Sequence, residues 1–365
     1  MNLKHKDNGT KLYLLDKNVP KGGFRVQYLF KIQEKLVPEL ISQAQIRYTI
    51  LRNIFNHQPL GRRILARKIG ISERQARNEL DFLQKRGWIE SSRAGTVISA
   101  EGECFLQELD VYIKEIKGIE YLEDDLARVL ALKKVIIVPG NLESVTVIKE
   151  IGRRASSFLK SILQDGDIIA VTGGKTLAMV ANSMQQEYDE GDILVLPGRG
   201  GLGEDVEIQS NTIAANLARK ICGKYKLLHI PDNLSDKNYD LFIQEPSIQK
   251  ILNKLKKSNI LLHGIGTARE MAIRRGMSKR QVHDLLNKGA VGESFGYYFN
   301  EQGEIIYSTT SVGLDLKDLH KIDKVIAVAG GVEKAEAILA AVSPEYQDIL
   351  ICDENTARKI INLRR

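Results

Sequence analysis

What most constrains this chain is a change of rhythm near residue 133. Beyond it, short apolar runs alternate with helical stretches; the runs lie at 135–138, 168–171, 193–196, 227–230, 260–262, 325–328 and 349–351. Each run is apolar throughout instead of alternating apolar and polar, the mark of a strand buried on both faces. Strands of that kind, separated by helices, predict an α/β domain built on a doubly wound parallel sheet. Ligands of such sheets sit beyond the carboxyl ends of the strands, where loops run into helix N-termini.

Four loops carry glycine at that place. Thr172-Gly173-Gly174-Lys175-Thr176 follows one run and opens a predicted helix over 177–184. Pro197-Gly198-Arg199-Gly200-Gly201-Leu202-Gly203, His263-Gly264-Ile265-Gly266 and Ala329-Gly330-Gly331-Val332-Glu333-Lys334 follow three others. Glycine lets a backbone approach an anion, and a helix N-terminus offers unpaired N–H groups and partial positive charge. Lys175, Thr176, Arg199, Arg274 and Lys334 add charged or hydroxyl donors. A tight turn with a solvated cation explains any one of these loops. Four in one domain point to a small ligand that carries phosphate. The pattern is not a P-loop, because Ile169 stands where the first glycine is needed, and Gly173-Gly174-Lys175 is not a dinucleotide fingerprint. The cysteines, Cys104, Cys222 and Cys352, are too far apart for a metal site or a disulfide framework. No metal, catalytic residue or resident cofactor is expected.

The first quarter has a different character. Residues 1–100 hold 19 Lys and Arg against 8 Asp and Glu, whereas the remainder is mildly acidic, within a chain of net charge +7. Either a basic surface is merely solvated or this part meets a polyanion. The pattern decides for the polyanion. Apolar residues recur at helical spacing from about Lys31 to Asn56, and a short helix follows over 62–68 with Ile64, Leu65 and Ile69 facing inward. Gly70 makes a tight turn, and Ser72 with Gln75 forms a predicted capping box. The next helix buries Ala76, Leu80 and Leu83 and presents Arg74, Gln75, Arg77 and Asn78. A hairpin around Ser91-Ser92-Arg93-Ala94-Gly95 closes the unit. Helix, glycine turn, polar helix and hairpin make a winged helix-turn-helix. Arg, Gln and Asn pair bidentately with base edges in the major groove, while Arg62, Arg63 and Arg93 are placed to hold phosphates. The predicted DNA-binding set is Arg62, Arg63, Ser72, Arg74, Gln75, Arg77, Asn78 and Arg93.

These readings divide the chain into a flexible arm (1–30), a winged helix-turn-helix (31–100), a helical linker (101–132) and an effector domain (133–365). The linker either spans a dimer or packs on its own chain. No apolar run reaches the roughly 18 residues of a membrane helix, and no signal peptide is legible. A cytoplasmic protein is expected.

Several segments also carry a family resemblance. They are Pro59-Leu60-Gly61-Arg62-Arg63, Gly70-Ile71-Ser72-Glu73-Arg74, Ala170-Val171-Thr172-Gly173-Gly174, the run Arg199-Gly200-Gly201-Leu202-Gly203-Glu204-Asp205 with Asn211-Thr212, His263-Gly264-Ile265-Gly266, Phe295-Gly296-Tyr297-Tyr298-Phe299 and Ala327-Val328-Ala329-Gly330-Gly331. From about Lys35 onward the chain resembles the SorC type of sugar-responsive transcription repressors, in the branch that governs central glycolytic genes. The resemblance implies an effector domain similar to sugar-phosphate isomerases and deaminases. It also implies a repressor that fructose 1,6-bisphosphate releases from operator DNA, working as a homodimer or homotetramer. It places Gly173, Gly174, Lys175, Thr176, Arg199, Gln209, Arg274, Glu293 and Lys334 at the effector. On that assignment Thr176 and Lys334 suit one phosphate, Arg199 and Arg274 a second, and Gln209 and Glu293 the sugar hydroxyls. Lys175-Thr176 departs from the Thr-Thr that follows the two glycines in a member of the family, and the arm before about residue 24 has no recognised counterpart.

The rival reading is an isomerase or deaminase of the same fold, with Asp205, Glu204 or Glu293 as general base. A DNA-binding module would serve no purpose there, and fold likeness alone does not establish catalysis.

Overall fold

A computed structural model describes residues 30, 32–33, 35–140, 144–186, 191–201, 205–232 and 234–364. The predicted arm falls almost wholly outside these residues, as do Leu202, Gly203 and Glu204. The chain forms two compact units, Met1–Ile119 and Glu120–Arg365.

In the first unit, α1 (Pro38–His57) begins on a proline at its first turn, where a missing N–H costs nothing. It is followed by α2 (Arg62–Ile69), α3 (Glu73–Lys85), and the antiparallel pair β1 (Ile89–Ser92) and β2 (Gly95–Ile98). Gly70 ends α2 at φ 71°, in the left-handed region expected of the turn. Ile50, Leu51, Ile54, Leu65, Leu80 and Leu83 close one core. Ile64 is not among them: it is 55% exposed, whereas Leu65 and Ala66 are buried and Ile69 packs half-buried against this core, as expected. Ser72 caps α3 by accepting from Gln75 N–H at 3.1 Å. The reciprocal bond that would complete the predicted capping box is absent among the described residues.

The stretch read as one linker is two helices, α4 (Ala100–Lys117) and α5 (Ile119–Leu130), broken at Gly118, whose φ is 59°. Leu106 and Ile113 of α4 belong to the core of the first unit, where Trp88 stacks on Phe105 at 3.8 Å. Tyr48 donates to Asp110 at 2.6 Å, tying α4 to α1.

The second unit continues with β3 (Lys134–Val138), α6 (Ser144–Ile162), β4 (Ile168–Val171), α7 (Lys175–Ser183), β5 (Leu194–Pro197), α8 (Ser210–Lys220) and β6 (Lys224–Tyr225). Then come α9 (Asp236–Gln244), α10 (Pro246–Leu255), β7 (Ile260–His263), β8 (Gly266–Thr267), α11 (Ala268–Arg274) and α12 (Lys279–Asn287). The chain closes with β9 (Gly292–Ser294), β10 (Tyr297–Phe299), β11 (Ile305–Ser308), α13 (Leu316–Leu319), β12 (Lys324–Val328), α14 (Ala335–Ala341), β13 (Ile349–Asp353) and α15 (Glu354–Arg364).

Seven parallel strands form the main sheet in the order β3-β13-β12-β7-β4-β5-β6. From β4 the chain winds outward through β5 and β6, then returns to β7 on the other side of β4 and winds outward through β12 and β13. The order therefore reverses between β4 and β7, and at such a switch point the loops of neighbouring strands diverge and leave a crevice. One sheet face packs Ile136, Ile169, Val195, Leu262, Val328 and Ile351 against Ile151 and Leu159 of α6, Leu177 and Val180 of α7, and Ile213 and Leu217 of α8.

Two features depart from the sequence reading. The run 227–230 is not a strand: the edge strand is Lys224–Tyr225, and Leu228 and Ile230 turn into a side cluster with Val312. A second sheet, antiparallel in the order β11-β10-β9-β8, stands beside the first. Its strands have two to four residues, too few to print a period of two on the sequence.

Candidate functional site

The crevice at the switch point is a cavity of about 300 Å³. All nine side chains and glycines assigned to the effector line it: Gly173, Gly174, Lys175, Thr176, Arg199, Gln209, Arg274, Glu293 and Lys334. Its volume is at the small end of the range for metabolite sites, roughly 300–1,000 Å³.

One wall is the entry to α7. No side chain caps this helix, and its first internal bond runs from Ala178 N–H to Gly174 O at 2.9 Å. The N–H groups of Lys175, Thr176 and Leu177 are the ones such a helix leaves over for an anion. The loop is fastened on both flanks. Gly174 N–H donates to Ile208 O at 2.8 Å, which brings Gln209 to the cavity, and Gly264 N–H donates to Thr172 Oγ1 at 3.3 Å across the switch point. A Cβ on Gly173 would lie 2.9 Å from Ile208 O, so the close approach requires glycine. Opposite, Gly331 N–H donates to Asp353 Oδ2 at 2.7 Å, which fixes the loop that presents Lys334.

The floor is a buried group of four charges. Arg275 donates through one terminal nitrogen to Asp232 and through the other to Glu293 Oε1 at 2.8 Å. Arg199 Nη2 reaches Asp232 Oδ1 at 3.4 Å, and its Nε reaches Ser311 Oγ at 3.4 Å. Glu293 also accepts from Gly296 N–H. The side chains of Arg275 and Glu293 are each 4% exposed. Burial pushes the Asp232 carboxyl upward, but Arg199 and Arg275 together outweigh it and hold it below its ordinary value. Burial likewise pulls Arg275 down, and Glu293 and Asp232 more than restore it. Arg199 is lowered, chiefly by burial, with Asp232 opposing. Two cations and two anions thus cancel. The remaining cations of the cavity, Lys175, Arg274 and Lys334, have no ion-pair partner among the described residues.

His263 lies at the end of β7, fully buried and tilted against Phe295 with ring centroids 4.8 Å apart. Burial drives its pKa down to about 4, so it is neutral. Ser294 Oγ lies 3.1 Å from its Nδ1.

Sequence reasoning passed over Asp232, Arg275, Glu270 and Phe295, all of which line the cavity. Asp232 sits in a loop with no glycine signature, and Arg275 stands beside Arg274 with nothing in the sequence to set it apart. Phe295-Gly296 was noticed as a motif but given no role; Phe295 holds φ 55°, an unusual conformation that turns the chain tightly between β9 and β10.

In the first unit, Arg62, Arg63, Ser72, Arg74, Arg77, Asn78 and Arg93 are exposed and Gln75 is half-buried. Arg62, Arg77 and Arg93 line one groove of about 440 Å³ between α3 and the hairpin, together with Gln84, Ser91 and Ser92. Gln84 was missed, although it lies seven residues after Arg77 and so on the same helix face. Arg63 Nε lies 3.6 Å from Glu73 Oε2 at the surface.

A winged helix-turn-helix joined to a parallel-sheet unit with a cation-lined cavity at its switch point is the arrangement of a transcription regulator with a DNA-binding domain and a sugar-binding domain. The comparisons agree. The model described as "Putative sugar-binding domain" matches residues 114–362, and that of the CggR N-terminal DNA binding domain matches residues 44–113. The central glycolytic genes regulator of Priestia megaterium is 43% identical over 335 residues, 91% of this chain and 98% of its own, and that of Bacillus subtilis is 41% identical over 334 residues with the same coverage. A SorC family transcriptional regulator from Enterococcus faecalis has a TM-score of 0.61 at 39% identity over 66% of this chain and 99% of its own. The full-length sorbitol operon regulator SorC from Klebsiella pneumoniae shares the fold, with a TM-score of 0.64 at 17% identity over 89% and 99% of the two chains.

The chain belongs to the central glycolytic genes regulators of the SorC family. It is a glycolytic gene transcription regulator with a DNA-binding domain and a sugar-binding domain, and not an isomerase or deaminase. No helix among the described residues is long and apolar enough to cross a membrane.

Proposed function

We propose that this regulator is a cytoplasmic repressor whose grip on operator DNA is loosened by fructose 1,6-bisphosphate. The observation that carries the reading is the gathering of three unpaired cations, Lys175, Arg274 and Lys334, with an uncapped helix N-terminus around one small cavity. Such a cradle favours a compact dianion or tetra-anion over a neutral sugar, and Gln209 offers an amide for hydroxyls. Lys175 adds a positive charge at the helix entry, which favours the more highly phosphorylated ligand. On the DNA side, Arg62, Arg77 and Arg93 hold phosphates on either side of the groove, while Arg74, Gln75 and Asn78 read bases, with Ser72 and Arg63 setting the helix entry. A winged helix reads a half-site, so a palindromic operator calls for a dimer or tetramer of the chain. For the effector to act, it must bind the DNA-free conformation more tightly than the DNA-bound one.

A band-shift titration on operator DNA at fixed salt tests the whole reading. Retarded DNA is expected in the absence of effector, with release on adding fructose 1,6-bisphosphate and weaker release by fructose 6-phosphate. Retardation unaffected by either sugar phosphate would sink it.

A further inference from the structure

All four buried charges line the cavity, but two of them have their terminal polar atoms already engaged by charged neighbours. Asp232 spends its two oxygens on Arg199 and Arg275, and Arg275 spends its terminal nitrogens on Asp232 and Glu293. We propose that Asp232 and Arg275 are positioning residues for effector recognition: they hold Arg199 and Glu293, which face the cavity, in one geometry before any effector arrives. This rests on the reading of the cavity as a sugar-phosphate site.

The geometry leaves Arg199 little freedom. Its guanidinium is held at one terminal nitrogen by Asp232 and at Nε by Ser311. It lies against Gly296, where an added Cβ would come within 2.6 Å of Nη2 and 2.7 Å of Nη1. A Cβ on Gly313 would likewise lie 2.7 Å from the Cα of Arg199. Two glycines therefore make a slot for the arginine, and Asp232 closes its end. Glu293 is fixed from two sides, by Arg275 and by Gly296 N–H. A long side chain ordered on binding loses rotamer entropy, and one ordered beforehand does not. The neutral sum of the quartet serves the same end, since an uncompensated buried arginine would swing toward whatever anion entered.

The four residues come from four separate places, the ends of β5 and α11, the loop after residue 230, and β9. A role in folding alone would make the loss of Asp232 independent of Arg199 at the level of effector affinity. A positioning role makes the two non-additive.

The test is a pair of double-mutant cycles on the full chain, read by calorimetric titration with fructose 1,6-bisphosphate, with circular dichroism on each variant. Asp232→Asn is expected to weaken binding about tenfold in the native background and less than about twofold in Arg199→Met. Arg275→Lys is expected to behave in the same way with and without Glu293→Gln. Additive losses in both cycles overturn the proposal while leaving the effector reading intact. A wild-type chain that binds no fructose 1,6-bisphosphate overturns both. Should the variants not fold, the wild type decides. Nuclear magnetic resonance of arginine-labelled, effector-free protein is expected to show slow guanidinium rotation at Arg199 and Arg275, and free rotation at either overturns the proposal.

Discussion

The two functional surfaces of this protein handle negative charge in opposite ways. In the first unit the arginines stand exposed along one short stretch, between Arg62 and Arg93, on a helix face and a hairpin. In the second, the charged groups come from loops spread between Lys175 and Lys334, and several of them are buried and already paired. The difference follows from the size of the partner. A long polyanion is met by many solvated cations whose contribution comes from released counterions and falls with salt. A small anion offers few contacts, and donors placed in advance lose less entropy on binding it; here Arg199 is buried, while Lys175 is exposed and Arg274 and Lys334 are half-buried. Exposed charge gives reach, and buried charge gives discrimination.

The comparison breaks most visibly on the DNA side. Replacing Arg62, Arg77 and Arg93 together by alanine is expected to weaken operator binding by roughly a hundredfold to a thousandfold at moderate salt and to flatten the salt dependence, because about three phosphate contacts are lost. Calorimetric affinity for fructose 1,6-bisphosphate should stay within twofold of wild type; a parallel fall there would show that the two surfaces are not chemically separate.

The next largest effect concerns the buried half. His263 has a folded pKa of about 4, below its ordinary 6.5, so the unfolded chain binds more protons between those values. Stability from this group is full above pH 6.5 and is lost as pH falls toward 4. Between pH 7 and pH 5 the loss is about 2 kcal/mol, and urea denaturation of the wild type against His263→Gln measures it. An equally steep pH dependence in the variant would assign the effect elsewhere.

Lys334→Ala should lower affinity for fructose 1,6-bisphosphate about tenfold, consistent with one charge-assisted contact, while operator affinity without effector stays unchanged. Unaltered effector binding would remove Lys334 from the site. The smallest effect is expected at Ser72→Ala, which deletes the cap of α3 and costs about 1 kcal/mol, read as a lower thermal midpoint.

The same contrast explains what could be read before the structure. The helices, glycine turn, N-cap and hairpin of the first unit were legible because they are local signals, whereas the exposure of Ile64 and the place of Gln84 in the groove were not. The parallel sheet was legible from its apolar runs, save at 227–230, where two residues packed into a side cluster imitate a strand. The glycine loops pointed to the cavity because glycine records a backbone constraint in the sequence itself. Asp232 and Arg275 left no such record. Their meaning lies in pairing with Arg199 and Glu293, and a pair separated by 33 residues, or by 18, has no local pattern. The small antiparallel sheet was invisible for a related reason: its strands are too brief for alternation to be counted.

The reversal of strand order between β4 and β7 has one more consequence. Residues from both wings of the sheet border the crevice, 172–177, 199–200 and 208–210 from one wing and 264–266, 270–271, 274–275 and 333–334 from the other. On the proposed reading, an anion held there would touch residues of both wings at once. Lys175 stands on one wing and Arg274 and Lys334 on the other, with Glu270 and Glu333 lining the same cavity, so such a ligand would couple the two halves of the sheet.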